Sequence, residues 1–161
     1  MCITHSHVTH HKRGITMIDA DRIQHIINVA RLMKDNATNL GLDTKEMYTL
    51  GLLHDIGYEF GSSEEHHTIG SEMMHTQGYK YYKEILYHGM PTQEYSSTAL
   101  DLLNYADMRV DKKGNVVTFE ERLQDIANRR GVDSPHYKNC KVVIDHLKAK
   151  YVITQNEIHK R

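Results

Sequence analysis

The 161-residue sequence is poor in cysteine, in long apolar runs and in net charge. Its two cysteines, Cys2 and Cys140, lie far apart without the spacing of a metal site, so neither a disulfide framework nor a cysteine zinc site is expected. Apolar runs of only a few residues exclude a membrane-spanning helix and the apolar core of a signal peptide. A net charge of -1 provides no basic surface for a nucleic-acid polymer or an anionic membrane. A cytoplasmic location is the default expectation.

The composition fits one globular domain that is unusually rich in histidine. Hydrophobic residues make up 39% and charged residues 25% of the chain, and histidine occurs 13 times. His5, His7, His10 and His11 crowd a segment rich in Thr and Ser, which predicts a flexible tail over residues 1–17. Alternatively, this segment joins the functional site or binds metal adventitiously. Residues 18–161 are expected to form a single domain without repeats or linkers.

Apolar residues recur every three to four positions along most of the domain, which predicts successive amphipathic helices. The predicted helices cover residues 18–39, 43–57, 62–78, 79–87, 94–107, 118–131 and 134–151. Cap signals support several of these ends, among them Asp43, Thr118 with Glu121, and Ser134 before Pro135. Residues 109–111 and 115–117 flank a Lys-Lys-Gly turn and predict a short β-hairpin. The predicted fold class is all-α, a bundle of about six to seven helices with one short β-hairpin.

The second predicted helix ends in Leu-Leu-His-Asp-Ile-Gly, residues 52–57, which places an imidazole beside a carboxylate after an apolar turn. A buried pair of this kind needs polar partners, and histidine nitrogen with carboxylate oxygen suits Zn, Mn or Fe. The dipeptide alone is a weak signal, because about one His-Asp pair is expected by chance in a chain so rich in histidine. Its meaning depends on the other titratable residues.

Five consecutive predicted helices each contribute a titratable residue that could face the centre of a bundle. The candidate metal ligands are His25, His54, Asp55, His66, His88 and Asp107. Taken singly, several have ordinary explanations: His25 as a hydrogen-bonded core residue, His88 as a histidine at the negative end of a helix dipole, and Asp107 as an exposed helix-end carboxylate. Taken together, they favour a shared metal, because burying so many unpaired titratable groups would cost several kcal/mol per group.

The ordered series H…HD…D resembles the HD-domain superfamily of metal-dependent phosphohydrolases. Arg-Ile-Gln-His at residues 22–25 resembles the family's opening R-x-x-H motif, residues 52–57 resemble its L-L-H-D-I-G motif, and Tyr-Ala-Asp at residues 105–107 resembles its closing A-D. The resemblance extends over residues 22–130, most of the chain. It implies a helical HD-domain bundle in which His25, His54, Asp55 and Asp107 bind metal.

Two further motifs are similar to those of HD proteins that hold two metals, including the HD-GYP phosphodiesterases and the HD-type dinucleoside tetraphosphate hydrolases. His-His-Thr-Ile-Gly at residues 66–70 resembles an H-x-x-x-G helix start, and Ile-Leu-Tyr-His at residues 85–88 resembles an I-x-x-H helix end. His66 is favoured over His67 because it stands four positions before Gly70. In that group Asp55 would bridge two ions. The resemblance divides the other ligands into His25, His54 and Asp107 on one ion, and His66 and His88 on the other.

One position departs from the family pattern. Many of these phosphohydrolases carry a lysine after the H-D-I-G motif that can touch the substrate phosphate, whereas this chain has Tyr58. Other cations are then expected to bind the substrate: Arg22 on the first helix, and Arg109, Lys112 and Lys113 on the predicted hairpin. Arginine is the better bidentate phosphate ligand. The alternative explanation of each is a solvated surface charge.

The function implied by the resemblance is a metal-dependent phosphohydrolase that cleaves a phosphoester or phosphoanhydride of a small metabolite or nucleotide. Asp55 and His54 are the expected catalytic residues, acting through a water that the metal activates. The expected cofactor is a pair of divalent ions, Fe or Mn, with Mg, Ni, Co and Zn as alternatives. A diiron oxygenase resembling myo-inositol oxygenase and a non-catalytic regulatory module that keeps the metal cage are alternative functions. The expected partner is a small phosphorylated molecule. A second copy of the chain, in a homodimer, is a further candidate partner.

Overall fold

The computed structural model describes residues 18–62 and 64–161, and the tail predicted over residues 1–17 lies outside this range. The described residues form seven α-helices: α1 (Ala20–Asn36), α2 (Thr44–Leu53), α3 (His66–Thr76), α4 (Tyr82–Tyr87), α5 (Thr98–Asp107), α6 (Phe119–Arg130) and α7 (Pro135–Lys150). Two 3₁₀ helices follow α1 and α2, at Thr38–Leu40 and Ile56–Glu59. Strands β1 (Tyr151–Ile153) and β2 (Ile158–Lys160) come last and pair in an antiparallel hairpin. The predicted fold class, a helical bundle with one short hairpin, is confirmed.

The apolar faces of the helices meet in one core. Helix α1 packs against α2 and α5, α3 packs against α4, and α7 packs against α5 and α6. The largest fully buried apolar side chains come from these helices and the adjoining segments: Met33, Leu40, Met47, Leu50, Ile85, Leu102, Leu103, Tyr105, Met108, Ile126, Ile144 and Leu147. Within the described residues, no helix is both long enough and apolar enough to cross a membrane.

Glycines permit the closest approaches in this packing. A Cβ atom at Gly51 of α2 would overlap the backbone of Ala30 in α1. A Cβ atom at Gly57 would overlap the carbonyl oxygen of His66, the first residue of α3. Because neither residue has a side chain, α1 and the start of α3 can both lie against the segment that carries His54 and Asp55.

The predicted N-terminal caps are confirmed at α2, α6 and α7. Asp43 accepts hydrogen bonds from the backbone N–H groups of the first turn of α2, and Thr118 and Glu121 form a complete capping box at α6. Helices α5 and α2 are shorter than predicted, because turn or 3₁₀ residues take the place of a helical turn at one end of each. Helix α5 begins at Thr98 rather than near residue 94, since Ser97 caps it. Helix α2 ends at Leu53, and Gly57 lies in the 3₁₀ helix that follows rather than at the end of α2.

The strands lie elsewhere than predicted. Residues 109–117 form a tight turn with a single antiparallel bridge between Val110 and Val116. Asp111 stabilises this turn, because its carboxylate accepts hydrogen bonds from the backbone N–H groups of Lys113 and Asn115 at 2.9 Å each. The two-stranded hairpin is instead formed by β1 and β2, and Tyr151, expected on the last helix, begins β1.

Candidate metal centre

The ends of several helices deliver polar side chains to one place in the core. His25 lies within α1, His54 and Asp55 directly follow α2, and His66 is the first residue of α3. His88 caps the C-terminus of α4, and Asp107 is the last residue of α5. All six are buried, none more than 8% exposed. The structure therefore brings all six predicted ligands together, and their role as metal ligands stays a prediction.

Asp55 lies at the centre of this cluster, and its two carboxylate oxygens face different histidines. Oδ2 is 3.4 Å from Nε2 of His54 and 3.8 Å from Nε2 of His25. Oδ1 is 3.5 Å from Nε2 of His66 and also 3.5 Å from Nε2 of His88. The second carboxylate, Asp107, lies on the Oδ2 side, with its Oδ1 3.0 Å from His25 Nε2 and 3.8 Å from His54 Nε2. The cluster thus has two halves that meet at Asp55.

The backbone fixes the orientation of three of the imidazoles. Nδ1 of His54 donates to the carbonyl of Gly51 at 2.7 Å, and Nδ1 of His88 donates to the carbonyl of Ile85 at 2.7 Å. Nδ1 of His25 donates to the carbonyl of Asp111 at 3.0 Å. Because a carbonyl oxygen only accepts, each of these Nδ1 atoms carries a proton, and the Nε2 lone pair of the neutral ring points towards the carboxylates.

This arrangement fits a metal ion. Lone pairs on imidazole Nε2 atoms and on carboxylate oxygens face one another, which is unfavourable unless a cation lies between them or a proton is taken up. Nε2 of His54 is fully buried and has no hydrogen-bond partner among the described residues. Nitrogen and oxygen donors in this mixture suit Mn, Fe or Zn. The residues present therefore fit a divalent transition metal.

Both carboxylates are held in their ionised form. Burial by itself would raise the pKa of Asp55, but the neighbouring His54 and His88 outweigh it and hold that pKa well below its usual value. Burial likewise opposes ionisation of Asp107, and the neighbouring His25 and His54 outweigh it and hold the pKa of Asp107 well below the usual range. Burial would lower the pKa of His54, whereas Asp55 and Asp107 raise it overall. The pocket thus attracts positive charge, either protons or metal ions.

His67 lies beside the predicted ligand His66 and belongs to the same cluster. The ring centroid of His67 is 3.7 Å from that of His66 and 4.3 Å from that of His88. One nitrogen from each of these three rings lies within 4.8 Å of the others, a separation that a shared metal could span. Burial, followed by the effects of His88 and His66, lowers the pKa of His67 to about 2, so this imidazole is neutral and able to donate a lone pair.

Tyr58, which stands where many family members have lysine, forms part of a stack. Its ring lies on the ring of His66, with a centroid separation of 4.0 Å. The guanidinium of Arg22 also contacts Tyr58 and lies 4.1 Å from the centroid of its ring. Arg22 Nη1 also donates to Asp55 Oδ2 at 2.7 Å. Tyr58 therefore positions a cation beside the central carboxylate instead of supplying one.

A cleft of about 810 Å³ opens onto the cluster. Of the predicted substrate-binding residues, Arg22 and Lys112 line this cleft. The structure does not bring Arg109 there. Its guanidinium instead donates to the carbonyls of Val117 and Gln155, so the fold uses this side chain to hold the C-terminal hairpin segment. Its predicted contact with substrate has no support from this placement.

Three arginines on α6 that sequence reasoning missed also line the cleft: Arg122, Arg129 and Arg130. A signal for Arg122 was present in the sequence. Arg122 lies between Phe119 and Ile126 at helical spacing, on the buried apolar face of α6. An arginine on such a face needs a buried anionic partner, which is a reason to assign it a functional role.

A model of the HD domain family matches residues 22–149 of this chain. No curated protein and no solved structure matches it. The matched segment begins at Arg22 and contains His25, the His54–Asp55 pair and Asp107, together with the cleft lined by α6 and the start of α7. The chain therefore belongs to the HD domain family.

Proposed function

We propose that the protein is a metal-dependent phosphohydrolase that cleaves a phosphoester or phosphoanhydride of a small metabolite or nucleotide. Membership of the HD domain family supports metal-dependent hydrolysis in general. The observation that carries the proposal for this chain is the pair of oxygens of Asp55, each of which faces two histidine Nε2 atoms within 3.8 Å. Such a carboxylate can hold two cations at once.

The two halves of the cluster support a site for two divalent ions. His25, His54 and Asp107 would hold one ion together with Oδ2 of Asp55. His66 and His88 would hold the other with Oδ1, and His67 is close enough to join them. When bound, a pair of divalent metals would lower the pKa of water and stabilise the oxygens of an in-line phosphoryl displacement. Iron and manganese are the ions we propose first.

The chain's own residues supply orientation and charge. The carbonyl hydrogen bonds of His25, His54 and His88 hold their rings in place, so the donors need little rearrangement. Arg22 reaches the same region from α1 and lines the cleft, where it can pair with a phosphate oxygen. The thiol of Cys140 is no candidate nucleophile, because it is fully buried and burial raises its pKa to about 11.

The cleft agrees with a substrate of nucleotide size. Its volume of about 810 Å³ lies in the range of small-molecule sites. We also propose that the protein is related to the HD proteins that hold two metals. This proposal rests on His66 and His88, which the resemblance adds to the four ligands of the shorter H…HD…D series.

The decisive experiment measures metal content and turnover on the same preparation. Full-length protein purified without a histidine tag is analysed for metals and assayed with a panel of phosphomonoesters, phosphodiesters and nucleotides, with and without chelator. We expect chelator-sensitive phosphate release. Asp55→Ala should lose both metal and phosphate release, whereas Asp145→Ala, at an exposed position on α7, should lose neither. Two ions per chain in Asp55→Ala would refute the bridging role.

The same preparation separates the proposal from its two alternatives. Oxygen consumption by iron-loaded protein without phosphate release would favour a diiron oxygenase. Full metal occupancy with neither activity would favour a regulatory module. Chelator-insensitive phosphate release would contradict the metal-dependent mechanism.

A further inference from the structure

One wall of the cleft is formed by α6 and the start of α7, and the side chains that line the cleft carry more positive than negative charge. Five cationic side chains line the cleft, Arg22, Lys112, Arg122, Arg129 and Arg130, against three carboxylates, Asp55, Glu64 and Asp107. Asp55 and Asp107 are the predicted metal ligands, so their charge would be taken up by metal. Asp125 is then the carboxylate that pairs with Arg122 and Arg129, so the cations of this wall outnumber their anionic partners among the described residues.

Arg122 gives the clearest sign of an anionic ligand. The residue is only 8% exposed, yet its Nε–H has no hydrogen-bond partner among the described residues. Its Nη1 donates to Asp125 at 3.2 Å, and the same carboxylate accepts from Arg129 at 2.8 Å. One carboxylate thus serves two guanidinium groups. A buried N–H donor of a charged group that has no acceptor is costly, and a bound anion would remove that cost.

The neighbouring groups agree with an anion at this wall. Arg130, at an exposed position in the last turn of α6, also lines the cleft. His136, in the first turn of α7, also lines it, and burial together with Arg130 and Arg122 lowers the pKa of His136. A neutral His136 can donate a hydrogen bond. The N-terminus of the 16-residue α7 faces the same space with its positive dipole end.

A purely structural explanation accounts for part of this arrangement. Arg129 and Arg130 lie in the last turn of α6, where basic residues stabilise the helix dipole. That explanation does not cover Arg122, which lies in the first half of α6 on its buried face. Nor does it explain why all three line the cleft that opens onto the metal cluster.

We propose that Arg122, Arg129 and Arg130 form an anion subsite that binds a second phosphate group of the substrate, one that is not cleaved. This proposal rests on the proposed function, because it assigns the substrate class of the same site: molecules with at least two phosphate groups. The guanidinium groups recognise phosphate through charge-assisted hydrogen bonds, and the metal cluster receives the phosphate that reacts.

The kinetic test compares substrates that differ in phosphate number. Metal-loaded, full-length protein is assayed with adenosine 5′-phosphate, adenosine 3′,5′-bisphosphate and adenosine 5′-triphosphate. Arg130→Gln should lower the ratio of kcat/KM for the multiply phosphorylated substrates to that for the monophosphate by roughly tenfold or more. Arg31→Gln, which removes the same charge from an exposed position on α1 outside the cleft, should leave that ratio unchanged. An equal ratio in both variants would overturn the subsite.

A binding test does not depend on catalysis. In metal-stripped, full-length protein the side-chain Nε–H resonance of Arg122, assigned by its loss in Arg122→Lys, should shift on titration with inorganic phosphate. Sodium chloride at equal ionic strength should not reproduce the shift. A resonance that responds to acetate but not to phosphate, or to neither, would overturn the subsite.

The two tests distinguish the two proposals. Metal-dependent hydrolysis with no change of the ratio in Arg130→Gln would leave the proposed function standing and refute the subsite. A phosphate-dependent shift at Arg122 in a protein that hydrolyses no phosphate compound would support the anion site and refute the proposed function.

Discussion

Metal binding is expected to stabilise the folded chain strongly, and Asp55 should control that stabilisation. The donors come from α1, the end of α2, α3, α4 and α5, so unfolding separates them and the ions bind only the folded state. At a free metal concentration one hundred times the dissociation constant, one ion adds about 2.7 kcal/mol to the free energy of unfolding, and two ions add about 5 kcal/mol. For a domain of this size that corresponds to a rise in Tm of roughly 10–20 °C.

Asp55→Asn tests this reasoning with a change of almost no volume. The amide keeps one oxygen but loses the charge that faces both halves of the cluster. We expect the metal-induced rise in Tm to fall to less than roughly a quarter of the wild-type rise, because both ions lose a ligand. The assay is thermal unfolding with and without Mn²⁺ or Fe²⁺, alongside metal analysis. Asp145→Asn, whose carboxylate pairs with Lys141 on the exposed face of α7, is the matched control.

Two outcomes would refute the argument at different points. A full metal-induced rise in Asp55→Asn would show that Asp55 is not a ligand. Half of the wild-type rise with one ion retained per chain would show that only one of the two ions depends on the charge of Asp55.

Three further predictions concern the start of α3, the protonation of the cluster and Arg22. Gly57→Ala should destabilise the fold by about 1–3 kcal/mol and reduce the metal content, because its Cβ would displace the carbonyl of His66; unchanged unfolding and metal content would contradict this. In metal-stripped protein the raised pKa of His54 contributes stability that is lost as pH rises above about 6.5 through the folded-state value, so Tm should fall with rising pH over that range, whereas saturating metal should reverse that slope. The lowered pKa of His67 acts in the opposite direction only below about pH 6.5, so a Tm independent of pH above that value would contradict the prediction. Arg22→Gln should keep its metal and lower kcat/KM roughly tenfold to hundredfold, and metal loss instead would show that Arg22 supports the ligands rather than the substrate.

The sequence predicts the helices well where periodicity and caps agree. Thr118 and Glu121 predict the start of α6, and Ser134 with Pro135 predicts the start of α7, because capping depends only on residues close in sequence. The prediction for the paired strands is wrong because strand pairing depends on tertiary contacts. Residues 109–117 have the alternation of a hairpin, but Asp111 closes them into a tight turn, and the pairing of Tyr151 with Lys160 depends on the C-terminal segment packing back onto the helices.

The candidate site could be predicted because its residues occur in a fixed order, one or two on each successive helix or at its end. What the sequence could not show is where long side chains point. Arg109 follows Asp107 closely, yet its guanidinium turns away to Gln155, 46 positions further along the chain. Arg130 is remote from the motif in sequence, yet it lines the same cleft. Both facts depend on how α6 and the C-terminal hairpin pack, which periodicity does not encode.

The backbone hydrogen bonds of the histidines also bear on which ion the site prefers. The rings of His25, His54 and His88 are hydrogen-bonded to main-chain carbonyls, so we expect their Nε2 atoms to keep nearly constant separations when an ion binds. A cage with fixed donor spacing cannot contract around a small ion or expand around a large one. Discrimination then depends on ionic radius and coordination geometry more than on intrinsic affinity, which allows a protein to reject the tightest-binding metals of the Irving–Williams series.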